Sequence, residues 1–176
     1  RVRRFWDAPN LATRPGLTAV DLFQAIEAGT VKALWVMATN PAVSMPDADR
    51  VRRALGACEL LVVSDCVRRT DTSVLAHVRL PALGWGEKDG TVTNSERRVS
   101  RCRKFLNAAG EAKPDWWIMS EVAHRLGFGA AFPYRSAADI FREHAALSGF
   151  ENDGGRAFDL GGLATIADET YDILEP

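Results

Sequence analysis

Two apolar runs in this sequence stop at groups that can hold a ligand. KALWVMA, residues 32–38, stops at Thr39-Asn40-Pro41, and ELLVVS, residues 59–64, stops at Ser64-Asp65. An amide such as Asn40 donates and accepts, whereas a carboxylate such as Asp65 only accepts. A carboxylate closing a second strand, about 25 residues after the first strand's end, is where a dinucleotide fold meets a ribose; a guanine edge would suit it too. A helix-capping role explains Asp65 equally well at this stage.

Other groups carry weaker signals. Glu87-Lys88-Asp89-Gly90 contains a strong turn dipeptide, and Asn94, Glu96, Arg97 and Arg98 read as a solvated charge run. Asp115 follows Pro114 where a helix cap belongs. His77, His124 and His144 stand apart, with no nucleophile or carboxylate at triad spacing. Trp116 and Trp117 read as core rather than as a stacking platform. Cys58, Cys66 and Cys102 show no CxxC spacing and no neighbouring histidine, so no metal site is expected on them. An odd number of scattered thiols fits a reducing compartment, hence a cytoplasmic location.

The elements that must position these groups follow from periodicity and caps. Residues 18–28 predict a helix with Thr18 as cap, Asp21 in its first turn and Gly29 as stop. Its apolar face is Ala19, Leu22, Phe23 and Ile26. The runs at 32–38 and 59–64 are short and lack alternation, which predicts strands buried on both faces, as in a parallel sheet. Pro46 and Asp47 open a second helix with Ala48, Val51, Leu55 and Cys58 on one face. A helical turn near residues 70–76 precedes a third strand in HVRLPAL, placed near a sheet edge because Pro81 lacks a ladder donor. Residues 84–107 are polar and Gly-punctuated, and predict a loop with short extended pieces. Pro114 and Asp115 begin a helix through Leu126, stopped by Gly127, and Ser136 caps another that ends at Gly149. Alternating helices and strands predict an α/β fold, a parallel sheet flanked by helices on both faces. Residues 1–17 read as a connecting segment, 18–150 as the α/β domain, and 151–176 as an irregular C-terminal extension.

Composition narrows the function classes. An apolar fraction of 47% and a charged fraction of 26% are those of a soluble globular domain. A net charge of -1 gives no basic footprint for nucleic acid and no polybasic block for a membrane surface. No apolar run approaches the roughly 20 residues of a membrane span, and no signal peptide is expected at the start. There is no GxGxxG after the first strand, which disfavours ordinary NAD binding, and no GxxxxGK[ST] phosphate loop. The opening at Arg1 without an initiator Met raises the expectation of a piece of a longer protein.

An ordered set of motifs then resembles one family. TNP (39–41), VVSD (62–65), TDT (70–72), LPALGWGEKDGTVTNSERR (80–98) and GEAKPDWW (110–117) are similar to the third domain of molybdopterin oxidoreductases. FREHAALSGFENDGGRAFDLGGLA (141–164) resembles the assimilatory nitrate reductase branch of that family. The resemblance covers essentially the whole chain. It implies a Rossmann-like domain that clasps one of two molybdopterin guanine dinucleotides at a molybdenum centre. Cofactor contacts are implied at Asn40, Ser64, Asp65, Lys88 and Asp115. Asp65 and Asp115 would accept from ribose or guanine, Lys88 would offset phosphate or pterin charge, and Asn40 and Ser64 would bond at the strand ends. The intact enzyme would reduce nitrate to nitrite. Its 4Fe-4S cluster and the residue approaching molybdenum would lie outside this chain, which alone would not be catalytic. The implied partners are the remaining domains and an electron-donor protein or subunit. A formate dehydrogenase of the same family, or a stand-alone nucleotide-binding module, are the alternative readings.

Overall fold

The structure, a computed structural model, describes residues 1–175. Its helices in chain order are α1 (Val2–Phe5), α2 (Ala19–Glu27), α3 (Pro41–Ser44), α4 (Ala48–Ala57), α5 (Asp115–Arg125), α6 (Ala137–Gly149) and α7 (Asp168–Ile173). The strands are β1 (Ala33–Met37), β2 (Leu60–Asp65), β3 (Val78–Pro81), β4 (Gly90–Thr93) and β5 (Val99–Cys102). The chain forms two compact units. The sheet unit comprises Thr13–Gly84 with Ala108–Ile118; the hairpin unit comprises Arg1–Ala12, Trp85–Asn107 and the residues from Met119 onward.

The sheet unit is the expected parallel α/β structure, with strand order β1-β2-β3. Thr18 caps α2 by accepting from the Asp21 N–H at 3.3 Å, and Gly29 ends the helix at φ 71°. Asp47 caps α4 through the Arg50 N–H at 3.3 Å. Leu34 stands opposite Leu61 and Val36 opposite Val63, so these four side chains share one face of the sheet. Against that face lie Phe23 and Ile26 of α2, Ala42 of α3, and Val51, Ala54 and Leu55 of α4. The strands are less evenly covered than their unbroken apolar runs predict. Leu61 is fully buried, whereas its neighbour Leu60 is 44% exposed. Val62 and Trp35, which pair in register on the second face, are half-buried. His77 completes the ladder before β3: its Nδ1 accepts from the Leu61 N–H at 2.9 Å and its own N–H donates to the Leu61 carbonyl. β3 lies at the edge of the three-stranded sheet, as expected from Pro81, yet one further bridge follows it. Lys113 bridges Ala82 in parallel, donating to the Pro81 carbonyl at 3.1 Å and accepting from the Leu83 N–H at 3.0 Å.

In the hairpin unit, residues expected to be loop with extended pieces form an antiparallel pair, β4 with β5. The alternation is weak because a charged residue takes an interior position. Arg101 is 7% exposed; it lies 4.4 Å over the Tyr171 ring and bonds Asp89 at 3.1 Å. Ser136 and Asp139 cap α6 reciprocally. The Asp139 carboxyl is held below its usual range, first by the Arg135 backbone N–H and then by that of Ser136. Gly149 closes α6 against Gly161, where a Cβ would come within 2.9 Å of the Gly161 Cα. Two stretches read as irregular contain short helices. The opening segment holds α1, fastened by Arg4 to both oxygens of Glu151 at 2.9 and 2.5 Å. The tail holds α7, anchored by Tyr171 packing on Phe141 at 5.3 Å between ring centroids. Neither has enough turns to show a period.

The two sheet faces predict unequal mutational costs at adjacent positions. Leu61→Ala should cost about 2–5 kcal/mol, as buried leucines do. Leu60→Ala should cost less than about 1 kcal/mol. Urea unfolding of both variants measures the difference, and equal costs would contradict the assignment of faces.

Candidate functional site

The site is built from strand ends. Because β1, β2, β3 and the Lys113 segment all run parallel, each leaves the sheet at the same edge. Asn40 follows β1, Asp65 ends β2, and Asp115 comes two residues after Lys113 as the first residue of α5. Ligands of open α/β sheets sit beyond such carboxyl ends. At the β1 end the chain turns through Ala38, held in the left-handed region at φ 54° while its N–H donates to the Ser64 carbonyl at 3.0 Å. A non-glycine residue there is strained. The turn delivers Asn40 directly after the strand.

Asn40 is locked by a residue 32 positions away. Its Oδ1 accepts from the Thr72 backbone N–H at 3.1 Å and from the Thr72 hydroxyl at 2.7 Å. The same hydroxyl oxygen accepts from the Ala42 N–H at 3.1 Å. Thr72 is fully buried. A backbone N–H can only donate, so the amide orientation of Asn40 follows from chemistry: the oxygen faces Thr72 and the NH2 group faces away. Among the described residues nothing accepts from that NH2. Asn40 therefore offers donors to a ligand.

Asp65 offers the opposite. Its Oδ1 accepts from the Val67 N–H at 2.9 Å, an Asx turn that fixes the carboxylate at the strand end. Its other oxygen has no hydrogen-bond partner among the described residues. The helix-capping alternative does not hold, because the loop after Asp65 enters a 3-10 turn at Ser73–Leu75 rather than a helix at the next residue. Ser64 is placed differently from its neighbour. It is 1% exposed and its hydroxyl accepts from Trp35 Nε1 at 2.8 Å. In this arrangement Ser64 ties β2 to β1.

Asp115 is half-buried at the start of α5. Lys88 is half-buried in the hairpin unit, one residue after the 3-10 turn Trp85–Glu87. Thus Asn40, Asp65 and Asp115 share one sheet edge, Ser64 stands behind it, and Lys88 belongs to the other unit. Sequence reasoning missed Thr72 and Trp35 as supports. The TDT motif marks Thr72, but no spacing rule links it to an amide 32 residues earlier. Of the other histidines, His124 bonds the Phe132 carbonyl at 2.8 Å and His144 stacks on Phe158. Trp117 is 38% exposed, so it is not the core residue its sequence suggests. Cys66 is exposed, Cys58 is buried and Cys102 half-buried.

The parallel strand ends thus carry an amide with outward donors and a carboxylate with an open oxygen, at the edge where open α/β sheets hold their ligands. Comparison with known proteins gives the family. The family model described as molybdopterin oxidoreductase matches residues 3–125, and the chain belongs to that family. It is 58% identical to a nitrate reductase of Klebsiella oxytoca over 176 residues, covering 100% of this chain and 20% of that protein. It is 44% identical over 140 residues to the F420-dependent formate dehydrogenase subunit alpha of Methanocaldococcus jannaschii (strain ATCC 43067 / DSM 2661 / JAL-1 / JCM 10045 / NBRC 100440), covering 79% of this chain and 20% of that one. Among solved structures it is similar to acetylene hydratase from Pelobacter acetylenicus, with TM-score 0.61 and 25% identity over 72% of this chain and 18% of that chain. The chain thus spans about a fifth of the length of the curated relatives it matches.

The lock on Asn40 can be tested alone. Thr72→Val keeps the shape but strips the Ala42 N–H of its acceptor and Asn40 of one donor, and should cost about 1–3 kcal/mol. Thr72→Ser keeps both bonds and should stay within about 1 kcal/mol of the parent. Denaturant midpoints of the two variants decide; a neutral Thr72→Val would show that the clamp is not formed.

Proposed function

We propose that this chain is the part of a molybdenum-dependent nitrate reductase of the assimilatory type that binds one molybdopterin guanine dinucleotide, within residues 18–150. The observation that carries the reading is identity to a nitrate reductase along the whole chain, 58% over 176 residues. The likeness to a formate dehydrogenase is lower and covers less of the chain, 44% over 140 residues. The segment at 141–164, which resembles the assimilatory branch, favours the same choice.

The residues present fit the dinucleotide. A guanine edge and ribose hydroxyls supply donors, which the open oxygen of Asp65 and the carboxylate of Asp115 can accept. Phosphate and pterin oxygens supply acceptors, which the NH2 of Asn40 meets. Lys88, the remaining residue of the resemblance, carries an ammonium of the sign that phosphate and pterin charge require. Ser64 acts from behind, holding Trp35 and the carbonyl that fixes the β1 turn. When bound, the molybdenum–pterin group supplies the two-electron chemistry that converts nitrate to nitrite. This chain's residues bind, orient and electrostatically tune that group, and the chain alone is not catalytic. The working enzyme is completed by its other domains, a 4Fe-4S cluster outside this chain and an electron-donor protein, in the cytoplasm. Among the described residues no helix is long and apolar enough to cross a membrane.

The reading is tested in the full-length enzyme. Its gene should restore growth on nitrate to a bacterium lacking nitrate reductase. Asp65→Ala in the same gene should lower molybdenum content per protein about tenfold, in line with one lost charge-assisted contact. Formate oxidation without nitrate reduction would overturn the substrate; full molybdenum loading of Asp65→Ala would overturn the site.

A further inference from the structure

A second feature of the hairpin unit is independent of the strand-end site. A cleft of about 580 Å³ has Arg1, Arg97, Arg156, His144 and Phe158 in its lining. Three of these carry guanidinium groups and no lining residue is acidic.

The absence of acids in the cleft matters because neighbouring carboxylates are engaged elsewhere. Glu151 is bonded at both oxygens by Arg4. Arg1 acts on Glu151 only through space. Asp159 accepts from the Asn152 amide at 2.5 Å and from the Gly161 N–H at 2.7 Å. Asp153 is exposed and does not line the cleft. Arg97 sits at the β4–β5 hairpin tip, exposed, and makes no ion pair among the described residues. Its backbone is held in the left-handed region at φ 63°, with its N–H bonded to the Asn94 carbonyl at 3.0 Å.

Arg156 is the fixed member. Its guanidinium donates to the carbonyls of Ser148 at 3.2 Å, Phe150 at 2.9 Å and Glu151 at 3.1 Å, closing the C-terminal end of α6. Carbonyl dipoles offset a cation only partly, and the Asp159 carboxylate acts on Arg156 through space without a salt bridge. Its Nε is buried with no hydrogen-bond partner. One wall beside these cations is apolar: His144 and Phe158 stack at 5.7 Å between centroids, flanked by Leu147 and Ala157.

We propose that this cleft is a binding site for a small organic oxyanion, gripped by Arg97 and Arg1 over the fixed charge of Arg156, with its carbon body on the His144–Phe158 pair. Guanidinium forks match phosphate and carboxylate oxygens in pairs, and their pull is strongest where a concave wall limits water. A run of solvated arginines would attract anions by net charge alone, without saturation and without dependence on one residue.

The test uses the chain as it is. Inorganic phosphate and succinate are each titrated at low ionic strength and followed by amide NMR shifts, with chloride as a charge control. The expected result is saturable binding of at least one probe, with the largest shifts at residues 97, 144 and 155–158. Which probe binds more tightly distinguishes a phosphate ligand from a carboxylate. Arg97→Gln should weaken binding about fivefold or more, Arg97→Lys less, and Arg14→Gln, a cation outside the cleft, not at all. Shifts at residues 40, 65 and 115 report the strand-end site and shifts at residues 97, 144 and 155–158 report this cleft, so that the two sites fail or succeed separately. Linear shifts without saturation, or equal weakening by Arg97→Gln and Arg14→Gln, would overturn the proposal. Arg156 is left intact, because its loss would also uncap α6.

Discussion

The arrangement of the strand-end edge depends on one constraint, the parallel register of β1, β2 and β3. Leu34, Val36, Leu61 and Val63 face the helices α2 and α4, and a one-residue slip of β1 or β2 would turn its members of this set outward. Once that burial sets the register, the ends of the strands are aligned without further instruction. Asn40 and Asp65 then emerge at one edge because each follows its strand by the right count. The Lys113 segment extends the same logic to Asp115. Hydrophobic burial thus fixes polar geometry at a distance from the core.

Within that frame, hydrogen bonds decide what each polar group presents. Thr72 takes up the acceptor of Asn40 and leaves its donors outward. Val67 takes up one oxygen of Asp65 and leaves the other. Trp35 takes up Ser64. The result is an edge with a defined donor and a defined acceptor, held by buried or backbone partners that do not move with solvent. Such preorganisation lowers the cost of binding. The left-handed Ala38 shows where the chain accepts strain to bring Asn40 into place.

Much of this was legible in the residues. Thr18, Asp47 and Ser136 announce their helices, because capping is local in sequence and each cap does accept the N–H expected of it. The two apolar runs announce parallel strands, and the turns that follow them announce the site edge. What was illegible depended on distance or on a single anchor. Arg101 broke the β5 pattern because its charge is balanced by Asp89 and the Tyr171 ring, both far along the chain or out of pattern. The helix around Tyr171 has one buried anchor and no period. Thr72 reads as an ordinary loop threonine until the fold places it beside Asn40. The half-buried second face of the sheet could not be told from the buried one, since both are apolar in sequence.

The most direct measurement is GDP binding to this chain by isothermal titration, with Asn40→Asp beside the parent and NAD as a control. The Asp substitution keeps the Oδ1 acceptor facing Thr72 but replaces the outward donor with an acceptor. The account predicts unchanged folding, GDP bound in preference to NAD by the parent, and at least about a tenfold loss in the variant, the effect of one charged mismatch at a binding edge. Equal GDP affinity in parent and variant would contradict the assignment of Asn40 as a donor to the nucleotide, and equal binding of NAD and GDP would contradict the guanine site itself.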